Sequence, residues 1–187
     1  ISEVRLDQPG NDVDEYFEIS GPPGASLDGV WYVVLGDEQL TKVPDSSGRV
    51  QVAVDLSGHT LSGKGTFVVA KSADFSLGTP DLVQHFVFNQ INNCTHFLVT
   101  DYSGYLGLEC DWFDDGVLDL EPWGSVLDSV AFRRRPAAKG IYSPNVLGPA
   151  DSQAQLYGVD WQLVDRWSTY MPSNFVVPPF PGYTSGH

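Results

Sequence analysis

The segment from Asn93 to Trp123 carries the side chains best suited to chemistry. It contains both cysteines, and a run of carboxylates interrupted by Gly116 follows the second one. Calcium takes about six to eight oxygen ligands on a flexible frame, and closely spaced aspartates around a glycine can supply them. The spacing therefore predicts an oxygen-rich cation pocket. Its candidate ligands are Asp111, Asp114, Asp115, Val117 (through its carbonyl), Asp119 and Glu121.

The acidic loop departs from the helix–loop–helix calcium motif at two positions. When Asp111 is placed first, Asp115 falls at the fifth position and Asp119 at the ninth. Phe113 stands where a third-position aspartate is expected, and no glutamate stands at the twelfth. The sequence thus predicts calcium as a candidate cofactor in a non-standard loop. A solvated acidic turn is the alternative.

The two cysteines, Cys94 and Cys110, enclose fifteen residues. A disulfide closing a loop of that length contributes roughly 3 kcal/mol to stability. We predict this disulfide, which would connect the strand that begins near Thr95 to the start of the acidic loop. Two buried thiols are the alternative.

No arrangement of nucleophile and base is evident. The sequence has no Gly-x-Ser-x-Gly segment, and its histidines lack metal-ligand spacing. We expect His96 to be a packed or half-exposed strand side chain. A second acidic cluster is expected to be solvated charge on an exposed strand, which discourages pairing between sheets. Its members are Asp12, Asp14, Glu15 and Glu18.

The elements that must position these side chains are short strands. The 19 glycines and 13 prolines lie between short apolar runs, which is typical of an all-β protein. Residues 49–55 alternate apolar and polar side chains, and the apolar run 30–35 predicts a strand buried on both faces. Strands are predicted over 2–6, 14–19, 30–35, 49–55, 66–70, 85–88, 95–100 and 125–132. Their spacing favours a β-sandwich over βαβ units.

The chain changes character near its end. We predict a β-sandwich over residues 1–140 and a C-terminal extension over 141–187 that packs on the sandwich or on a partner. Residues 140–149 are expected to be a loop, and Asp160 is a candidate N-cap for a short helix through Met171. Beyond it the prolines predict an irregular chain. The candidate binding residues of this aromatic, proline-rich extension are Trp161, Trp167, Tyr170, Phe180 and Tyr183.

Charge and hydropathy exclude some partners. The net charge of −14 repels phosphate backbones, which argues against nucleic-acid binding. No apolar run approaches the roughly 18 residues of a membrane span. The sequence starts at Ile1 and its one methionine is Met171, as expected after removal of a signal peptide or for a piece of a longer chain. We expect an extracellular or cell-surface location, where a disulfide persists.

Three segments resemble bacterial lamin-tail domains. They are ISEVRLDQPGNDVDEYFEISGPPGASLDGVWYVVLGD at the start, DLSGHTLSGKGTFVVA in the middle, and DDGVLDLEPWGSVLDSVAF over the acidic loop and the next strand. The resemblance spans about Ile1 to Phe132. It implies an immunoglobulin-like β-sandwich. It also implies a secreted or surface-attached accessory module, in some proteins joined to an extracellular nuclease or other hydrolase, and not itself a catalyst.

The resulting functional prediction is a non-enzymatic, secreted structural or adhesive module stabilised by a disulfide and by calcium. Its partners would be other protein chains or further copies of itself. The alternative is an accessory domain of an extracellular hydrolase that binds polysaccharide or positions the catalytic domain. Exposed rings at Trp161, Trp167 and Tyr183 would favour polysaccharide, because aromatic faces stack on sugars. A hydrolase in its own right is the third and least supported prediction.

Overall fold

The computed structural model describes residues 1–7, 13–36, 48–88, 92–133 and 139–147, together with the backbone of 161–163. Within these ranges all regular structure is β, which confirms the all-β prediction. The strands form two sheets, an organisation consistent with a β-sandwich. The strands are β1 (Glu3–Asp7), β2 (Tyr16–Ser20), β3 (Val30–Gly36), β4 (Arg49–Asp55), β5 (Thr66–Ala70), β6 (Leu82–Val83), β7 (Cys94–Thr100), β8 (Ser125–Phe132), β9 (Val146–Leu147) and β10 (Trp161–Leu163).

One sheet has the order β10-β1-β2-β5-β6, with β6 parallel to β5 and the other neighbours antiparallel. Val4 pairs with Phe17, which pairs with Val69, and all three side chains are fully buried on one face. Because side chains alternate along a strand, Glu3 and Glu18 lie opposite each other on the other face. This sheet is therefore apolar on one face and carries charged groups on the other.

The second sheet has the order β4-β3-β7-β8-β9, antiparallel except for the β8–β9 pair. In β4 the valines are buried and the alternate residues are more exposed, as the period of two predicts. Nearly every residue of β3 is buried, because this strand lies between β4 and β7. One face of the sheet carries an apolar cluster of Val33, Leu35, Val50, Phe97, Val99 and Cys110.

Three local predictions were wrong. Residues 85–88 are not a strand; the paired residues are Leu82 and Val83 of β6. The segment 140–149 is not all loop, because β9 within it pairs with β8. A helix beginning after Asp160 is contradicted at Trp161–Leu163, whose backbone pairs with β1 as β10. The remainder of that predicted helix lies outside the described residues. Across the described residues no helix is long and apolar enough to cross a membrane.

Candidate functional site

The acidic loop after β7 is organised around Asp111, whose side chain is buried. Its carboxylate accepts hydrogen bonds from the backbone N–H of Asp115 at 3.1 Å and of Gly116 at 3.0 Å. The hydroxyl of Tyr142, from the segment before β9, donates to the same carboxylate at 2.8 Å. Asp111 therefore stabilises the loop from inside, and its oxygens point toward protein donors.

The other aspartates continue this pattern. Asp119 accepts a hydrogen bond from the backbone N–H of Trp112 at 2.7 Å, and Asp115 accepts one from Val117 at 2.9 Å. The backbone N–H of Asp119 in turn donates to the carbonyl of Cys110 at 2.8 Å. Asp114 and Gly116 have φ angles of 52° and 86°, the left-handed conformation that lets the chain turn sharply. The loop is thus closed by hydrogen bonds between its own side chains and backbone.

This arrangement does not gather the predicted calcium ligands. Among the described residues, no three acidic, histidine or cysteine side chains come together as a group that could hold a metal ion. The carboxylates of Asp111, Asp115 and Asp119 instead bind backbone N–H groups. Glu121 is exposed to solvent. As arranged, these residues do not fit a calcium site, and calcium binding stays a prediction.

The same loop presents large apolar side chains to solvent. The backbone N–H of Asp114 donates to the carbonyl of Asp111, so the intervening residues occupy the outside of a turn. A second turn, closed from the N–H of Leu108 to the carbonyl of Tyr105, lies just before the loop. The exposed fractions are 66% for Tyr105, 64% for Leu106, 60% for Trp112, 75% for Phe113 and 65% for Val117.

We call these five apolar residues, together with Asp114, Asp115, Asp119 and Glu121, the aromatic–acidic surface. Trp112, Phe113 and Val117 belong to one hydrogen-bonded loop, and exposed apolar patches rimmed by polar groups are typical of interaction sites. The apolar residues of this surface are not among the residues predicted from the sequence, where Phe113 is only a departure from the calcium motif. The available signal was the adjacent pair Trp112–Phe113, which stands between acids in a segment without strand periodicity.

The chain just before the loop is held against the edge of the sheet. Arg49 of β4 forms a β-bridge with Glu109, and their side chains form a salt bridge at 2.9 Å. Burial raises the pKa of the Glu109 carboxyl, against the opposing effects of a backbone hydrogen bond from Asp111 and of the Arg49 charge. The indole Nε1 of Trp112 donates to the Glu109 carbonyl at 3.2 Å. The position of the Trp112 ring is therefore set by the sheet edge.

The predicted Cys94–Cys110 disulfide is not present. Cys110 belongs to the apolar cluster that includes Phe97. Cys94 lies in the same strand as Phe97, three residues before it, and therefore on the opposite face of the sheet. The thiol of Cys94 is instead 3.3 Å from Nε2 of His96, on its own face. Two cysteines on opposite faces of a sheet cannot be bridged without moving the backbone.

The other nitrogen of His96, Nδ1, lies 2.5 Å from the hydroxyl of Tyr32. Burial lowers the pKa of His96 to about 3, and burial raises the pKa of Tyr32 well above its usual value. The imidazole is therefore neutral at physiological pH. A thiol beside an imidazole resembles a nucleophile and its base. These groups are inaccessible to a substrate, because Tyr32, Cys94 and His96 are all buried. The expectation of a packed His96 is confirmed.

The second acidic cluster is buried, so the prediction of solvated edge charge was wrong for Asp14, Glu15 and Glu18. Each of these three carboxylates has a hydrogen-bond donor or an ion-pair partner. Ser2 donates to Glu18 at 2.6 Å, Lys71 lies 2.7 Å from Glu15, and both the N–H and the hydroxyl of Ser76 donate to Asp14. Glu18 lies within β2, which has β1 and β5 on its two sides, whereas Asp14 and Glu15 precede the strand. Asp12 lies outside the described residues.

The side chains of the predicted C-terminal binding residues Trp161, Trp167, Tyr170, Phe180 and Tyr183 lie outside the described part of the chain. Arg5 of β1 is buried and lies two residues from Glu3, so the two side chains share the charged face of the sheet.

Comparison with known proteins assigns no family. No protein-family model matches the sequence, and no curated protein matches it significantly. The resemblance to lamin-tail domains remains a prediction.

Proposed function

We propose that this chain is a non-enzymatic binding module of a secreted structural or adhesive protein, and that it contacts its partner through the aromatic–acidic surface. The observation that carries the proposal is the exposure of Trp112, Phe113 and Val117 on a loop closed by internal hydrogen bonds. Exposed apolar side chains gain free energy when a partner removes them from water.

The loop's own hydrogen bonds make it suited to binding. Asp111 holds the backbone of Asp115 and Gly116, and Asp119 holds that of Trp112. A surface held in one conformation loses less conformational entropy when it binds. The internal bonds therefore favour recognition by a preformed surface.

A non-catalytic role is supported by the way in which potentially reactive groups are used. The thiol and imidazole of Cys94 and His96 are buried, Glu3 and Glu18 accept hydrogen bonds, and Glu15 pairs with Lys71. Each of these groups has a structural partner and little contact with solvent. Catalytic acids and bases must instead reach a substrate within hydrogen-bond distance.

An immunoglobulin-like topology is part of the proposal. In constant-type immunoglobulin sandwiches, strands A, B, E and D form one sheet and strands C, F and G form the other. The neighbours β1-β2-β5 and β3-β7-β8 support the A-B-E and C-F-G groupings, whereas β4 lies beside β3 and not beside β5. With the lamin-tail resemblance, this topology also supports a secreted or cell-surface module.

The second candidate is an accessory domain that binds polysaccharide for an extracellular hydrolase. The observation that favours it is the exposure of the rings of Trp112 and Tyr105, because exposed aromatic faces can stack on sugar rings. This candidate uses the same surface and differs in the chemistry of the partner.

Binding to three immobilised probes tests the proposal: a second copy of the chain, microcrystalline cellulose and a lysine- and arginine-rich peptide. We expect binding to at least one probe, and its loss in the double variant Trp112→Ser/Phe113→Ser. The control Val83→Ser/Val87→Ser removes exposed apolar side chains elsewhere and should bind as the wild type does. Binding retained by the first variant, or no binding to any probe, would contradict the proposal.

Calcium remains a candidate stabilising ligand. It would have to draw together the outer oxygens of the exposed Asp115, Asp119 and Glu121. A ligand that binds only the folded state raises the melting temperature. Calcium binding therefore predicts a higher Tm in millimolar Ca²⁺ and no such shift in Asp115→Asn/Asp119→Asn. An unchanged wild-type Tm would exclude the site.

A further inference from the structure

The chemistry of the aromatic–acidic surface indicates which class of partner it fits. Resting on the function proposed above, we infer that this surface binds a lysine- and arginine-rich polypeptide segment. Two separate properties of the surface favour such a partner: the sign of its charge and the exposure of its aromatic rings.

The segment of chain that carries the surface has formally charged side chains of one sign only. From Asn92 to Phe132 the sequence contains no lysine or arginine. One acid of the stretch, Glu109, forms an ion pair with Arg49 of β4. Complementary charge steers a partner of opposite sign and suppresses partners of like sign. The acids of the stretch are Asp101, Glu109, Asp111, Asp114, Asp115, Asp119, Glu121 and Asp128.

Three acids that follow the rings of Trp112 and Phe113 in the sequence are accessible. Asp115, Asp119 and Glu121 are exposed. The hydrogen bonds from Val117 and Trp112 engage Oδ1 of Asp115 and Oδ2 of Asp119, respectively. A guanidinium or ammonium group can approach the remaining oxygen of each carboxylate without displacing these loop bonds. The acids therefore have both a structural function and the capacity to receive a cation.

The aromatic rings add a second attraction for the same cations. A lysine or arginine placed over the face of a tryptophan, tyrosine or phenylalanine is attracted by the ring quadrupole. Trp112 is suited to this contact, because its Nε1 is held by the Glu109 carbonyl while 60% of the residue is exposed. The aliphatic stems of lysine and arginine can also cover the apolar surface of Phe113 and Val117. Exposed rings beside carboxylates thus match both parts of a basic side chain.

The other two partners match fewer of these features. A second copy of the chain carries the same negative stretch, and its net charge of −14 opposes approach of the two acidic surfaces. A neutral polysaccharide would stack on Trp112 and Tyr105 but gives no electrostatic compensation to the surrounding acids. A basic polypeptide segment satisfies the rings and the acids together.

The test measures affinity of the full chain for an immobilised peptide of alternating Lys-Gly and Arg-Gly units at low and high NaCl. The control peptide has acetylated lysines and citrulline in place of arginine, which removes the positive charges. We expect measurable binding to the basic peptide, at least about tenfold weaker binding to the neutral one, and a clear loss of affinity at high salt, because exposed charges are screened.

Two sets of variants separate the rings from the charges. Trp112→Leu/Phe113→Leu keeps apolar area but removes the aromatic faces, and should weaken binding about fivefold. Asp115→Asn/Glu121→Gln removes two charges from the surface and should weaken binding by a similar factor. The matched control Asp74→Asn/Asp81→Asn removes two exposed charges outside the surface and should leave affinity within about twofold of the wild type.

The outcomes distinguish this inference from the function on which it rests. If Asp115→Asn/Glu121→Gln and the control Asp74→Asn/Asp81→Asn weaken binding equally, the peptide is attracted to net charge alone. That result, or unchanged binding by Trp112→Leu/Phe113→Leu, would overturn the inference. Loop-dependent binding to cellulose or to a second copy, without binding to the basic peptide, would overturn the inference and leave the proposed function standing. Absence of binding to every probe would overturn both.

Discussion

The hydroxyl of Tyr142 donates a hydrogen bond to the carboxylate of Asp111 at 2.8 Å and so connects the segment before β9 to the acidic loop. Asp111 also accepts bonds from the backbone of Asp115 and Gly116. One buried carboxylate therefore holds the loop in shape and attaches it to a second segment. The conformation of the aromatic–acidic surface depends on this contact.

Replacement of Asp111 by alanine should lower the free energy of unfolding by about 2–3 kcal/mol, because three donors lose a charged acceptor. Tyr142→Phe removes one of these bonds and should cost about 1 kcal/mol. Urea denaturation measures both. As the comparison, Asp115→Ala changes an exposed carboxylate and should cost about 0.5 kcal/mol. Equal losses for Asp111→Ala and Asp115→Ala would contradict the role assigned to Asp111.

Gly48 occupies a position that a larger residue cannot share with Asp111. Its φ is 86°, and a Cβ added there would lie 2.6 Å from Cβ of Asp111 and 2.9 Å from the hydroxyl oxygen of Tyr142. Gly48→Ala should therefore destabilise the fold by about 3 kcal/mol, through backbone strain and crowding together.

The backbone part of that effect can be isolated at Gly58. Its φ is 81°, but an added Cβ would meet nothing within 4 Å. Gly58→Ala should cost only the roughly 1–2 kcal/mol of a left-handed alanine. A chemical denaturation series on both variants gives the difference. If Gly48→Ala lowers the free energy of unfolding no more than Gly58→Ala does, Asp111 does not pack closely against Gly48.

Burial of His96 predicts acid sensitivity. The folded-state pKa is about 3, against about 6.5 for an ordinary histidine. Below pH 6.5 the unfolded chain binds a proton that the folded chain does not, so stability falls as the pH drops toward 3. The slope for this one group rises toward about 1.4 kcal/mol per pH unit below pH 6.5, and the total loss of stability between pH 7.5 and pH 5.5 is about 1.4 kcal/mol. Urea midpoints across this range measure the slope before the carboxylates titrate.

The slope should be largely absent in His96→Gln, which has no titratable ring and can still accept a bond from Tyr32. His85→Gln provides the matched control, since the His85 side chain is exposed, and should keep the wild-type slope. A wild-type slope in His96→Gln would assign the acid sensitivity to other groups.

The cysteine arrangement predicts thiols that are present but unreactive. Burial raises the pKa of Cys110 to about 11, and Cys94 is equally buried. Only the thiolate reacts readily with iodoacetamide. At neutral pH we expect no modification of the native chain and two modifications after denaturation without a reductant. A mass increase on reduction, or a denatured chain that resists alkylation until it is reduced, would show the disulfide after all.

Much of the fold follows from the sequence. The alternation of residues 49–55 and the apolar run 30–35 are local patterns, and both strands form where those patterns predict. The predictions for the short runs 85–88 and after Asp160 were wrong, because a run of a few residues does not specify the strand with which it pairs. Their structure depends on the neighbouring strand, which is β5 for β6 and β1 for β10.

The sequence by itself determined the all-β class, the positions of the long strands, and the concentration of acids and aromatics after Cys110. The tertiary structure alone decided that Cys94 and Cys110 lie on opposite faces of a sheet. It also decided that His96 contacts Tyr32, which lies far from it in the chain but on the neighbouring strand of the sheet. It decided as well that the Asp111 side chain is buried while that of Trp112 is exposed. The physical reason is that periodicity fixes which neighbours share a face of one strand. The partners across the sheet depend on pairing between residues far apart in the chain.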